Sequence, residues 1–555
     1  MTNNEIADAF SLLAKLTDIH GENSFKSKSY SIAAYHIEKL TVQLSEIEEK
    51  KIASLQGIGA SSSKKIIELL TTGKMTQLEN LIISTPNGVI EMLNIKGIGP
   101  KKINIIWKEI GLESIGELLY ACKENRLKLY KGFGEKTQQT VIENIEFYLR
   151  NQGSFLYAQM IYGAEQFIIY LQKIFTDKRI FITGEYARQI EVITLLEYIV
   201  EEKINTIAEK LVTQQGLALI EQNDNYLLYK TVIGVKVKIY PTTERIIEKL
   251  IETSSSESFF ATLSTNYKAA AVASDEENYF SIRKLRHIPA FLREDEAVLS
   301  STMDFGRILQ PTEVKGLIHC HSNWSDGNNT IEEMAHAAKA KGMEYLAISD
   351  HSKTAVYAQG LTEEQIKAQH QYIDELNVKL APFKIFKSIE SDILGDGSLD
   401  YSNSILSTFD LVIASVHSNL KMTEEKAMAR LLAAIENPYT TILGHMTGRL
   451  LISRPGYPLD FKKIIDACAA NHVVIELNAN PSRLDIDWRE IKYALEKNVL
   501  ISVNPDSHSI SGIDDIKYGV FAAQKAMLTK EKNLSSFSLI EFDNYIETRK
   551  KKKGI

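Results

Sequence analysis

His319 and His321 stand two apart in "IHCHSNWSDG" (318–327), with Asp326 five residues further on. If residues 317–320 form a strand, side chains alternate, so the two imidazoles share one face while Ile318 and Cys320 take the other. Two neutral imidazoles on one face suit a divalent cation. Similar residues recur downstream: His351, Glu390, His417, His445, Asp506 and His508 each close, or nearly close, a short apolar run. The chain has only three cysteines, Cys122, Cys320 and Cys468, far apart and without CxxC spacing. Any metal site must therefore draw on His, Asp and Glu.

The elements that must position these residues follow from the pattern around them. From Val314 onward, apolar runs alternate with amphipathic stretches, the βα pattern of a parallel sheet or barrel. Seven runs can be read: "GLIHCH", "YLAISDH", "KIFKSIE", "LVIASVHS", "TILGHM", "VVIELNAN" and "LISVNPDSH". All but "VVIELNAN" carry His, Asp or Glu at their ends. In a (β/α) barrel the C-terminal ends of all strands converge on one face. That geometry would gather His319, His321, Asp326, His351, Glu390, His417, His445, Asp506 and His508 into one pocket.

The runs ending "HCHSNWSDG", "SDHS", "SIESDIL", "SVHSN", "GHMTGR" and "NPDSHS" resemble the successive motifs of the polymerase-and-histidinol-phosphatase (PHP) domain, over about residues 314 to 540. The resemblance implies a distorted seven-stranded barrel and a cluster of up to three metals. It implies His319, His321, Glu390 and Asp506 on one metal, Glu390 with His417 and His445 on a second, and Asp326, His351 and His508 on a third. Leu317 departs from relatives that place an aspartate before the first histidine. Imidazole and carboxylate without thiolate suit Mn²⁺, Zn²⁺ or Fe²⁺. The expectation is two or three divalent ions, with Mn²⁺ supporting activity. A bridging Glu390 would hold two cations about 3.5 to 4 Å apart, a geometry for phosphoester hydrolysis. Glu390 and Asp506 are the expected catalytic carboxylates. Arg449 is the expected catalytic arginine at the phosphate, and Arg454 is a second candidate for phosphate contact.

Three segments in the N-terminal third repeat a Gly-apolar-Gly turn followed by a polar helix: "LQGIGASSSKKIIELL", "LNIKGIGPKKINIIWKEI" and "LYKGFGEKTQQTVIENI". Gly57 and Gly59, Gly97 and Gly99, and Gly132 and Gly134 allow tight turns whose following helices present free N–H groups to phosphate. Lys101, Lys102 and Lys136 add positive charge. The repeats resemble helix-hairpin-helix motifs, which hold DNA backbone without reading sequence. Residues 1 to 150, with "GENSFKSKSYSIAAYHIEKL" and "LTTGKMTQLENLI", resemble the N-terminal region of family X DNA polymerases. In lyase-competent relatives a lysine near the place of Lys65 attacks an abasic sugar; here a phosphate contact is the preferred role.

Family X polymerases continue into a palm, and "RIFITGEYARQIEVITLLEYIV" (179–200) occupies its place. Gly184 and Arg188 match, but Glu185 replaces a serine, Leu195 and Glu197 replace the paired aspartates, and Lys238 in "IGVKVKIYP" replaces the third carboxylate. Two-metal nucleotidyl transfer needs carboxylates that a leucine and an ammonium cannot supply. The resemblance therefore implies a degenerate polymerase region retained for spacing, DNA binding or docking.

The expected architecture is multidomain. An α-helical helix-hairpin-helix N-terminus (1–75 and 76–150) is followed by an α/β palm-like region (151–300) and a linker (301–313). A C-terminal (β/α)7 distorted TIM-like PHP barrel (314–555) completes the chain. A net charge of −7 gives no global pull toward nucleic acid, so DNA contact must be local. The terminal "RKKKK" (549–553) reads as a disordered solvated tail. "MTNNEIADAF" lacks a signal pattern and no run has membrane-spanning length, so a cytoplasmic monomer is expected, without a membrane. The leading function that these resemblances imply is a metal-dependent 3′-to-5′ exonuclease on gapped or 3′-ended DNA, without sequence specificity, in DNA repair. The alternatives are an active family X polymerase with PHP proofreading and a small-molecule PHP phosphatase. A non-enzymatic DNA-binding scaffold ranks last.

Overall fold

The computed structural model describes residues 1–40, 42–150, 153–212, 214, 216–232 and 234–555. Asn151, where the palm-like region was expected to begin, and Ile233, which opens "IGVKVKIYP", lie outside them. The chain forms two compact units, Met1–Tyr148 and Leu149–Ile555.

The first unit is helical. Its helix Asn3–Ile19 opens with a capping box between Thr2 and Glu5 and buries Ile6, Phe10, Leu13 and Leu16. Three hairpins share one hydrogen-bond pattern. In each, the apolar residue between the glycines is buried, and its N–H donates to the carbonyl three residues back: Ile58 to Leu55 (3.1 Å), Ile98 to Ile95 (3.3 Å) and Phe133 to Tyr130 (3.1 Å). The first glycine of each turn, Gly57, Gly97 or Gly132, has φ between +76° and +95°, which side chains with a Cβ rarely adopt. Helices Ala60–Thr72, Pro100–Asn104 and Glu135–Arg150 follow.

The second unit contains strands β1 (Phe155–Leu156), β2 (Ile180–Thr183), β3 (Val192–Ile193), β4 (Leu196–Val200), β5 (Leu217–Gln222), β6 (Leu227–Thr231) and β7 (Lys236–Pro241). β1 pairs with β3, and the others form a five-stranded sheet in the order β2-β4-β7-β6-β5. Only β4 and β7 run parallel in that sheet. One face, with Tyr198, Val200, Tyr229, Val237 and Ile239, packs in a core with Met160, Ala164 and Leu171 of helix Tyr157–Ile174.

All seven apolar runs become strands of one parallel sheet: β8 (Gly316–Cys320), β9 (Tyr345–Ile348), β10 (Lys384–Asp392), β11 (Leu411–Ser415), β12 (Thr440–Leu443), β13 (Val474–Asn478) and β14 (Ile501–Asn504). The ends of β8 and β14 meet through a Cys320–Ser507 bridge, which nearly closes the barrel. Lower down, residues 533–536 fill the seam. Asn533 Oδ1 accepts from Val503 N, and Ser535 O accepts from Lys315 N at 2.8 Å. Inward positions recur at period two, apolar at the base and polar toward the C-terminal mouth: Tyr345, Ala347, Ser349 and His351 along β9, and Leu411, Ile413, Ser415 and His417 along β11.

Two expectations change. Simple alternation does not place the first two histidines, because Ile318 faces inward with Tyr345 and Ile413 while Leu317 and Cys320 both face the outer helices. The register shifts between Leu317 and Cys320, and His319 turns inward at φ +68°. The basic terminus is not a disordered tail. It forms helix Leu539–Lys553, whose Phe542 stacks on Tyr345 at 4.5 Å and whose buried Arg549 donates to the carbonyls of His472 and Thr440.

Candidate metal centre

Eight of the nine ligand candidates are buried at the mouth of the barrel, and the ninth, His417, is half-buried with its side chain 5% exposed. Glu390, near the end of β10, lies at the centre. Its Oε1 is 2.9 Å from His445 Nε2, 3.1 Å from His417 Nε2 and 3.3 Å from His319 Nε2. Its Oε2 is 3.0 Å from His351 Nδ1 and 3.7 Å from His321 Nε2. Asp506 Oδ1 lies 3.2 Å from His321 Nε2 and 3.4 Å from His319 Nε2. Asp326 faces His351 at 3.6 Å and His508 at 3.4 Å. Asp506, like His319, sits at positive φ, so two of the nine hold strained backbone.

Ligand atoms gather into four groups, each within 4.8 Å: His321, Asp326, His351 and His508; His319, Glu390 and His445; His319, His321 and Asp506; and His351, Glu390 and His417. Compared with the grouping implied by resemblance, His319 also approaches His445 and His351 also approaches His417. Glu390 remains shared.

The electrostatics match a site built for cations. Burial alone would raise the Glu390 carboxyl, but His417, His319 and His351 hold it well below the usual range. Burial would lower His417, yet Glu390 and Asp392 carry it up to about 10. Burial, with His508 and His351, presses His321 down to about 3; burial and Arg483 do the same to His445. Several buried ligand atoms have no hydrogen bond: His319 Nε2, His321 Nδ1, Asp326 Oδ2, both ring nitrogens of His351, Glu390 Oε2 and His445 Nδ1. Buried polar atoms rarely stay unsatisfied, and this N/O set fits divalent transition cations. Cys320 faces the outer layer, and burial pushes its thiol up to about 12, away from the thiolate a metal needs.

Several residues that orient the ligands were missed. Glu476 accepts from His319 Nδ1 at 2.8 Å and from the His445 backbone N–H at 2.9 Å, turning His319 Nε2 toward Glu390. Asp392 accepts from His417 Nδ1 at 2.5 Å. Asp350 accepts from Ser322 N, Ser322 Oγ, Ser325 Oγ and Gln369 Nε2, fixing the loop between His321 and Asp326. Asn478 donates to Asp506 Oδ2 at 2.9 Å, and Arg483 Nε lies 3.8 Å from the same oxygen. A signal for Glu476 exists: a carboxylate inside the apolar run "VVIELNAN", in phase with Val474 and Asn478. Arg483, in the irregular stretch after β13, has none.

The guanidinium of Arg449 donates to Arg483 O at 2.9 Å, to Leu484 O and to Asp487 Oδ2 at 2.5 Å. Arg454 donates to Gly448 O. In the first unit, Gly59, Gly99 and Gly134 are exposed, and an added Cβ there would meet nothing within 4 Å. Lys101 and Lys136 are exposed; Lys102 and Lys65 are half-buried, with Lys65 Nζ 5.6 Å from the Tyr30 ring. In the five-stranded sheet, the Glu197 carboxylate occupies the Gly184 turn. Tyr240 OH donates to its Oε1 at 2.7 Å and Glu185 N to its Oε2 at 3.4 Å, and a Cβ on Gly184 would lie 1.7 Å from Oε2. Leu195 is half-buried just before β4. Lys238, paired in register with Glu197, has its ammonium 4.7 Å from the Tyr226 ring.

Residues 318–480 match the PHP domain, and the parallel barrel with its strand-end imidazoles and carboxylates defines a divalent-metal-binding protein of that class. Residues 1–75 match a helix-hairpin-helix domain and residues 89–146 a SAM-like helix-hairpin-helix tandem. Along 99% of its length the chain is 30% identical to the DNA polymerase/3′-5′ exonuclease PolX of Bacillus subtilis (strain 168), covering 100% of that protein. The chain belongs to the PolX family. A probable phosphatase of Thermoanaerobacter sp. (strain X514) is 27% identical over 41% of this chain and 91% of its own length. A probable phosphatase YcdX of Escherichia coli O81 (strain ED1a) is 27% identical over 29% of the chain and 62% of its own length. Among the described residues, no helix is long and apolar enough to cross a membrane.

Proposed function

We propose that this chain is a divalent-cation-dependent 3′-to-5′ exonuclease acting on DNA, with repair as its setting and a polymerase-like region that does not extend primers. The observation that carries the reading is the convergence of five histidines on the Glu390 carboxylate, with buried ring nitrogens left unbonded. His319, His321, Asp326, His351, Glu390, His417, His445, Asp506 and His508 would hold two or three cations, Mn²⁺ first among them. Bound there, the cations supply Lewis acidity toward a phosphoryl oxygen and lower the pKa of attacking water. Glu390 and Asp506 contribute the negative charge that keeps the cations in place. Glu476 and Asp392 fix the rings of His319 and His417 so that Nε2 faces inward. Arg483, 3.8 Å from Asp506, would contact a phosphate in preference to the expected Arg449, whose guanidinium is bonded to the Arg483 carbonyl and Asp487.

Three hairpins with exposed second glycines support delivery of a polynucleotide, since nothing in the unit's own packing needs a glycine at those places. The relative from Bacillus subtilis bears both a polymerase and a 3′-5′ exonuclease in its name. Here Leu195 offers no ligand, Lys238 brings the wrong charge, and Glu197 is already engaged by Tyr240 and the Gly184 turn. A phosphomonoesterase reading draws on the likeness of the barrel to probable phosphatases. The hairpins favour the polynucleotide. The test is DNA labelled at its 5′ end and incubated with Mn²⁺: progressive shortening that Glu390→Ala abolishes supports the exonuclease. Hydrolysis confined to small phosphomonoesters would favour the phosphatase.

A further inference from the structure

Opposite the packed core of the five-stranded sheet, Phe181, Ile199 and Tyr240 pack against a second apolar cluster with Ile247 and Leu250, and beside it the outer face of β6 and β7 carries an unexplained concentration of lysine. On β6 and β7, Leu227, Tyr229, Val237 and Ile239 point into the core, so Lys230, Lys236, Lys238 and Tyr240 point to the other side. Lys230 lies directly opposite Lys236 in the antiparallel register. Like charges directly opposite each other destabilise a sheet. Lys238 follows two residues along β7, about 6.8 Å further on, a step comparable to one nucleotide of an extended strand. Among the described residues, no carboxylate oxygen forms an ion pair with Lys230, Lys236 or Lys238, although Lys249 close by pairs with Glu252 at 3.2 Å.

Two tyrosines border this row. Tyr226 and Tyr240 are half-buried, their ring centroids 6.5 Å apart, with Lys238 Nζ 4.7 Å from the first ring and 5.8 Å from the second. Both hydroxyls are anchored, Tyr226 donating to Glu221 at 2.6 Å and Tyr240 to Glu197 at 2.7 Å. Those hydrogen bonds hold the Glu221 and Glu197 carboxylates on the tyrosine hydroxyls, and neither forms an ion pair with the three ammonium groups, although Glu197 is the register neighbour of Lys238. A cationic row beside anchored aromatic rings has the chemistry of a single-strand platform: ammonium groups meet phosphates while rings stack on bases without regard to sequence.

We propose that this face binds a single strand of nucleic acid, with Lys230, Lys236 and Lys238 on the phosphates and Tyr226 and Tyr240 stacking bases. The proposal rests on the reading that this sheet holds no polymerase metals; the position that would carry a carboxylate has become part of an anion site. The replacement of a carboxylate by Lys238 is then a change of ligand, from cation to phosphate. A duplex, whose bases are already stacked, gains nothing from the tyrosines.

The experiment compares the full-length chain with a triple variant, K230Q/K236Q/K238Q, in EDTA so that nothing is cut. Fluorescence anisotropy follows a labelled single strand of about 20 nucleotides and a duplex of equal length across a salt series. The variant is expected to bind the single strand about tenfold more weakly, with the slope of log affinity against log salt reduced by about 2. The duplex should change less than twofold. Melting temperature should be retained, and the triple arginine variant should restore single-strand affinity. Wild-type affinity and slope in the glutamine variant would overturn the proposal, as would an equal loss on the duplex. Hydrolysis of a small chromogenic phosphodiester, assayed separately with Mn²⁺, should not change. Its absence in the wild type would count against the nuclease reading, and primer extension by the Glu390→Ala chain against the palm reading, without touching the binding result.

Discussion

Glu476 touches no substrate in this account, yet it holds both His319 and the backbone of His445. Glu476→Gln keeps the shape but weakens the charge-assisted bond to the imidazole. It should lower metal affinity about 10- to 100-fold, with activity returning at higher Mn²⁺; a metal titration of initial rates checks this. Arg483→Ala should lower kcat at saturating Mn²⁺ while leaving bound metal unchanged, with partial rescue by free guanidinium. Loss of metal together with activity would make Arg483 a support for Asp506. Away from the centre, Glu276 pairs with the fully buried Arg293. Burial would raise the Glu276 carboxyl, but His287 and Arg293 bring it down to about 2. A depressed carboxyl stabilises above its unfolded pKa, near 4.5, and loses that contribution as pH falls toward about 2. Glu276→Gln should thus cost about 1–3 kcal/mol at neutral pH, with the gap closing in that acidic window in denaturant titrations. Eight of the nine ligand candidates were legible as residues at or just past strand ends, and Asp326 by its spacing from His321, because the chemistry of His, Asp and Glu is written in their identity. The turn of His319 was not, since a left-handed residue inside a strand follows from how β8 meets its neighbours.

At the scale of elements, seven apolar runs sufficed to read the barrel because parallel strands buried on both faces are continuous in hydrophobicity. The C-terminal helix escaped that reading. Its lysines suggest a solvated segment, while Phe542, Ile546 and Arg549, on one side of the helix, are buried against the rest of the barrel. Phe542 stacks on Tyr345 and meets Phe386 edge-on at 4.8 Å. Phe542→Ala should cost about 3–5 kcal/mol by chemical denaturation, whereas Lys551→Ala and Lys552→Ala should cost nearly nothing. In the five-stranded sheet, Lys238 is the strongest objection to polymerase chemistry. About 4 Å from a divalent ion, an ammonium repels it by several kcal/mol even at an intermediate effective dielectric. The turn occupied by Glu197 adds to this, and it was not foreseeable from the alignment of motifs, which compares residue types and not where a longer carboxylate folds back.

At the scale of the whole molecule, the proposed function assigns capture of DNA to the helical unit and hydrolysis to the barrel. Deleting residues 1–148 should weaken degradation of DNA far more than hydrolysis of a small chromogenic phosphoester, and should remove most of the salt dependence of binding. Equal losses on both substrates would mean that the helical unit supports folding of the remainder. In the proposed function, phosphoester hydrolysis at the Glu390 centre is the activity of this chain on DNA. It is tested most directly with a 5′-labelled gapped primer-template, Mn²⁺ and all four nucleotides, using the wild type and Glu390→Ala in parallel. Stepwise shortening by the wild type and an unchanged primer with Glu390→Ala are the expected results. Templated extension by the Glu390→Ala protein, or undiminished shortening by it, would overturn that assignment.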